Sequence, residues 1–212
     1  MPTQTLIQSL CDDLQPVQRG AVERQIGLAC AFGAAISLFI LIETLGIQPD
    51  LTDMGAIVPF TIKVGYALTL TTLGIDATMA LSRPGGAPKF PARTVLYALV
   101  ALALLALTQL SGNPTHDGAM LLGGSWQYCS LRIAALSLPI TLLMTLAVRA
   151  QAPVRLREAG AALGLTAGAL AAAIYALSCG EASFGFILLW YSLGIAIATA
   201  IGAALGPRIL RW

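Results

Sequence analysis

The run Ile26–Leu45, IGLACAFGAAISLFILIETL, decides the fold class. It carries one charge, Glu43, close to its C-terminal end. A helix of about 20 residues is roughly 30 Å long, which matches the hydrocarbon thickness of a bilayer. A helix apolar on every side belongs in a large core or in a membrane. Five further runs qualify or nearly qualify: Ala56–Ile75, Thr94–Leu110, Leu131–Val148, Ala161–Ser178 and Phe184–Leu205. Of 212 residues, 57% are hydrophobic and only 10% charged, with a mean hydropathy of +0.81. Soluble domains carry about 25% charged residues, so a water-soluble fold of this size is excluded. The expectation is an all-α polytopic membrane protein: a six-helix transmembrane bundle over 26–212, preceded by a short segment, 1–25.

The basic residues orient the bundle. Arg19 and Arg24 precede the first run. Arg83, Lys89 and Arg93 follow the second, in "SRPGGAPKFPAR" (Ser82–Arg93). Arg149, Arg155 and Arg157 follow the fourth, and Arg208 and Arg211 follow the sixth. The first, third and fifth connections carry no Lys or Arg, so ten of the twelve basic residues fall on one side. The positive-inside rule then puts both termini in the cytoplasm, with the bacterial inner membrane as the expected site. Asp12, Asp13 and Glu23 stand where a signal peptide would be basic, so the membrane is reached through internal spans. The other connections are short, which leaves no large external sensor domain.

Small residues recur every four positions: Gly160, Gly164 and Gly168, then Gly194, Ala198, Gly202 and Gly206. Such stripes let helix backbones approach in lipid. They serve either as a homodimer face or as packing inside one bundle. No long-period repeat supports an inverted-repeat transporter.

Lys63 falls inside the second run, and an intramembrane charge is a functional hypothesis by default. Glu43, across the first connection, is its expected partner, with the lysine stem snorkelling outward. Asp76 is expected at the inner interface and Arg132 at the outer one. Cys129, in "GGSWQYCSLR", and Cys179, in "YALSCGEAS", fall at the same depth on the outer, oxidising side, where a disulfide can form and persist. Buried thiols packing as small hydrophobes are the alternative. Cys11 and Cys30 lie at the other end and read as packing residues. Four scattered cysteines without a CxxC make no disulfide scaffold. His116 and Asp117 on the outer side could join the cysteines in a metal site, but a lone histidine makes a zinc site weak, and the metal assignment stays open. No cofactor is implied, and no nucleophile–base pair or nucleotide loop points to an enzyme. A small transporter or channel and a membrane thiol oxidoreductase are the rival readings.

The N-terminal stretch "TLIQSLCDDLQPV" (Thr5–Val17) places Leu6, Ile7, Leu10, Leu14 and Val17 on one helical stripe. Gln4, Gln8, Asp12, Asp13 and Gln15 take the polar side, and Pro16 stops the helix. A helix that lies on membrane lipid is basic; this one has no Lys or Arg and carries Asp12 and Asp13. It therefore docks in a partner's groove or folds back on its own bundle.

The chain resembles the membrane anti-sigma factors known as the negative regulator of sigma-F family. The match rests on the opening "TLIQSLCDDLQPVQRG", on Lys63, on "GSWQYC", on "CGEASFGFILLWYSLGI" and on the ending "GPRILRW". It covers essentially the whole chain, with Cys11 as a departure. The resemblance implies that the N-terminal segment binds an extracytoplasmic-function sigma factor through Leu6, Ile7, Leu10, Asp13, Leu14 and Val17. It implies that this holds the sigma factor at the membrane, away from RNA polymerase and without contact to nucleic acid. It also implies that Cys129 and Cys179 answer oxidative or metal stress.

Overall fold

The computed structural model describes residues 20–49, 54–83, 85–86, 88, 93–112 and 123–211, with the isolated positions 3, 7 and 8. Among them every regular element is a helix. The helices are α1 (Ala21–Thr44), α2 (Met54–Leu81), α3 (Arg93–Gly112), α4 (Trp126–Arg149), α5 (Leu156–Tyr175) and α6 (Phe184–Ile209). Five are long and apolar enough to cross a membrane; α3 is apolar over the shorter stretch Arg93–Gln109. The six runs read from the sequence are these six helices.

The polarity of the bundle suits hydrocarbon. Phe32, Phe39, Leu131, Leu138, Leu142 and Leu146 lie exposed on helix exteriors, whereas Ser37, Thr71, Thr78, Ser130, Ser137 and Thr166 are buried. Each of the buried hydroxyls bonds a carbonyl one turn back in its own helix or a group on a neighbouring helix: Ser37 Oγ donates to Gly33 O and to Leu136 O, and Thr78 Oγ1 meets Thr166 Oγ1 at 3.3 Å. Helices that gain nothing from hiding leucine pack instead through small and hydroxylic residues.

The helix α5 is the axis of the bundle, contacted by α2, α4 and α6. Its sequence, LREAGAALGLTAGALAAAIY, is nearly all Ala and Gly on the packed side. The glycine stripes are consumed here. A Cβ on Gly160 would stand 2.2 Å from Gly202 O, and one on Gly164 would stand 2.4 Å from Ala198 O. Packing inside one bundle is therefore their use, and they leave no argument for a homodimer. On the far side of the bundle, α1 packs on α4, where a Cβ on Gly33 would stand 2.7 Å from Ile140 Cα. Helices α1 and α2, though consecutive, scarcely touch.

Candidate functional site

The site lies at the end of the bundle where the connections carry no Lys or Arg. Two chain segments build it: the start of α4, with Cys129 in its second turn, and the connection 176–183 that follows α5. Sequence sets both locally. Gly123 adopts φ +60°, a conformation that suits glycine, and turns the chain into α4 at Ser125. The α5 helix unwinds through Leu177 and Ser178 to Gly180. The α1–α2 connection lies over that unwound end, with the Gln48 N–H donating to Leu177 O at 3.0 Å.

Glu181 ties the two segments together. Its Oε1 accepts from the Gly124 N–H at 2.7 Å, the Ser125 N–H at 3.2 Å and Ser125 Oγ at 3.4 Å. This puts a carboxylate at the amino end of α4, where the unpaired N–H groups and the helix dipole both favour negative charge. The residue that follows Cys179 by two thus caps the helix that carries Cys129.

The cysteines themselves are buried free thiols that influence each other's ionisation. Cys179, in the connection outside the helices, is the more acidic of the two. The hydrogen bond from Cys129, the charge of Lys63, the Glu181 N–H and the Tyr191 hydroxyl together outweigh burial and hold its thiol below the ordinary range. The Tyr191 hydroxyl is buried without a well-formed bond and faces this sulfur. Tyr191 ends a π-helical turn, Ile187–Tyr191, early in α6. Ser130 Oγ donates to the Trp190 carbonyl in that turn at 2.8 Å. Tyr175 stacks at a tilt on Tyr191, 5.9 Å between centroids, and Trp126 meets Trp190 at 5.3 Å.

Lys63 is 3% exposed, and its Nζ donates to the Cys179 carbonyl at 2.7 Å. This corrects the expected Glu43–Lys63 pair: Glu43 is exposed on α1, and the two form no ion pair. The reason is the packing order. Helix α1 rests on α4 while α2 rests on α5, so the lysine meets the end of α5. A cavity of about 160 Å³ runs in from the exposed Gly55 and Ala182 to Lys63 and Cys179, with Gln48 and Glu181 in its wall.

Other expectations fall as follows. Arg132 is exposed, with its guanidinium 5.6 Å from the centre of the Tyr128 ring. Cys30 packs against Met144, Sγ to Sδ 3.4 Å, far from the other thiols. Among the described residues no three His, Cys, Asp or Glu side chains gather as a metal site; His116 and Asp117 lie outside them. So do Leu6, Leu10, Cys11, Asp13, Leu14 and Val17. Of the N-terminal stripe, Ile7 is described, and it is helical and exposed. Sequence reading did not single out Glu181, Tyr191 or Ser130. Nothing local in the sequence marked Glu181 as the distant group that caps α4.

The family model described as the negative regulator of sigma F matches residues 10–212. The probable anti-sigma-F factor NrsF of Azospira oryzae is 35% identical over 214 residues, all of both chains. The anti-sigma-F factor NrsF of Caulobacter vibrioides is 35% identical over 216 residues, again all of both chains. No solved structure matches the chain. With the model covering nearly the whole sequence and both relatives aligned end to end, the chain belongs to the negative regulator of sigma F family.

Proposed function

We propose that the chain is a membrane-tethered anti-sigma factor for an extracytoplasmic-function sigma factor, released by oxidation of Cys129 and Cys179. The observation that carries the signal half of this reading is the pair of buried free thiols, one of them on a residue whose carbonyl holds a buried lysine. Two thiols that lose two electrons and two protons to an oxidant form one S–S bond between α4 and the end of α5. On the topology drawn from the loop charges, this end faces the oxidising side and both termini face the cytoplasm. The N-terminal stripe Leu6, Ile7, Leu10, Leu14 and Val17, with Asp13 beside it, then lies where a sigma factor can be held.

The energetics are within reach. A hundredfold loss of sigma affinity needs about 2.7 kcal/mol, and closing a disulfide typically contributes about 2–4 kcal/mol. The test is a sigma-dependent reporter. Leu10→Asp should raise transcription without stress at normal protein level, and Cys129→Ser should leave the reporter deaf to oxidant. A Leu10→Asp protein that still represses removes the N-terminal helix from the contact, and an intact oxidant response in Cys129→Ser removes the thiol pair.

A further inference from the structure

Chemistry at the thiol pair is asymmetric, and the asymmetry lies in the packing. Cys129 is 0% exposed and takes no part in the cavity wall. Cys179 does take part, and beside it stand Lys63 and Glu181. A reagent that enters from Gly55 and Ala182 therefore reaches Cys179 before Cys129, which takes no part in the wall. The volume of about 160 Å³ holds several waters, so it admits an oxidant of a few heavy atoms and excludes a peptide disulfide. Charge narrows the class further. With Cys179 as thiolate, two negative groups, Cys179 and Glu181, stand against one positive group, Lys63. A small neutral oxidant enters that field without penalty, whereas an anion is repelled.

We infer that the cavity between Gly55, Lys63 and Glu181 is the entry site for a small neutral hydroperoxide, that Cys179 is the sulfur it oxidises, and that Lys63 is the positioning residue for that sulfur. This rests on the redox reading above and assigns its order of events. The Cys179 thiol first gives its proton to solvent, and the thiolate attacks one oxygen of the hydroperoxide: an S–O bond forms, the O–O bond breaks, and the departing hydroxide (or alkoxide) takes up a proton equivalent to the one that the thiol released. Cys179 is then a sulfenic acid. The Cys129 thiol attacks that sulfur: the S–S bond forms, the S–O bond breaks, and the Cys129 proton leaves with the hydroxide as water. For hydrogen peroxide the sum is two thiols and one peroxide giving one disulfide and two waters.

Lys63 acts through Cys179. Its Nζ is anchored on the Cys179 carbonyl, which fixes the turn that presents the sulfur, and its charge favours the thiolate. The groups acting on that sulfur are Lys63 from α2, Cys129 from α4, Tyr191 from α6, Tyr175 from the end of α5, and Glu181 from its own connection. Only Lys63 among them is cationic.

The experiment uses the full chain in detergent micelles, with modified cysteines located by mass spectrometry. Hydrogen peroxide plus dimedone should trap a sulfenic acid on Cys179 in Cys129→Ser, and at least tenfold less on Cys129 in Cys179→Ser. Cumene hydroperoxide, whose aromatic body would crowd a cavity of about 160 Å³, should react at least tenfold more slowly than hydrogen peroxide. Iodoacetamide should alkylate Cys179 in Cys129→Ser with a pH midpoint below the ordinary thiol value of about 8.5. Lys63→Met should raise that midpoint and slow alkylation at pH 7 by about tenfold, since one unit of pKa is a tenfold change in thiolate; Lys63→Arg should restore it. Equal trapping on both sulfurs, no size discrimination, or an unmoved midpoint in Lys63→Met each overturns the inference. Should Lys63→Met not fold, the midpoint in Lys63→Arg and the size series still decide it. The two readings fail separately: trapping as stated with a reporter that ignores peroxide sinks redox signalling and leaves the entry site standing.

Discussion

Replacing Glu181 with Ala should open the first turns of α4 and expose Cys129. The carboxylate oxygen Oε1 takes two backbone N–H groups and one hydroxyl at the start of that helix. Ser125 itself makes no capping bond with its side chain, so Glu181 supplies the cap from the far side of the site. Losing a cap costs about 1–2 kcal/mol, and the partial exposure of Glu181 keeps the figure in that range. Cys129 is the fourth residue of the helix, inside the turn that the cap protects. If its labelling proceeds through local opening, about 1–2 kcal/mol raises the labelling rate about 5- to 30-fold. Glu181→Gln keeps an acceptor oxygen and gives up the charge at the helix dipole, about 0.3–1 kcal/mol, so its increase should be about 2- to 5-fold. The assay is maleimide labelling of Cys129 in detergent, resolved by mass spectrometry, with Cys30 as an internal reference in a distant part of the bundle. A Cys129 rate unchanged in Glu181→Ala, or an equal rise at Cys30, would refute local capping; the second result would mean that the whole bundle had loosened.

Two further substitutions test the packing. Gly164→Leu should destabilise the chain by about 1–3 kcal/mol or more, because overpacking here must separate two backbones: its Cβ would stand 2.4 Å from Ala198 O and 2.9 Å from Thr199 Cα. Gly27→Ala, where nothing lies within 4 Å, is the control and should melt at or slightly above the parent temperature; thermal unfolding in detergent reads both, and equal melting of Gly164→Leu and parent would remove α5–α6 contact from the account. Cys30→Ala should lower stability by about 1 kcal/mol through the lost Met144 contact while leaving the reporter response to oxidant intact; a lost response would make Cys30 part of the signal.

The helices were legible because hydrocarbon imposes a simple rule: about 20 apolar residues, then a break. Depth was legible too, since the loop charges place Cys129 and Cys179 at one end without any knowledge of packing. Neighbour choice was not. Sequence adjacency suggested α1 against α2, hence Glu43 against Lys63, yet the close approach at Gly33–Ile140 sends α1 to α4, and that at Gly74–Thr166 sends α2 to α5. A glycine announces that some backbone comes near; it does not say whose. The same gap hid Glu181, a carboxylate whose partners lie 56 and 57 residues away.

Packing also constrains how a change at the thiols reaches the other end of the bundle. Polar links exist there: Arg155 donates to Gly86 O at 2.6 Å, and Arg83 pairs with Glu23 at the start of α1, next to the N-terminal segment. Both lie in the open, with the Arg83 and Glu23 side chains 57% and 43% exposed. Exposed ion pairs contribute about 0–1 kcal/mol, less than the roughly 2.7 kcal/mol that a hundredfold release demands. On the proposed function they can set the register of the loops but cannot supply the coupling. The α5 packing can. Its residues from Ala159 to Ala176 are buried almost throughout. The Gly160–Gly202 crossing near its start, where a Cβ on Gly206 would stand 2.4 Å from Leu156 O, leaves no slack to absorb a tilt introduced at Cys179. Close-packed interiors transmit strain, so on the proposed function α5 is the element that carries a shift of the Cys179 connection towards Leu156, one helix length away.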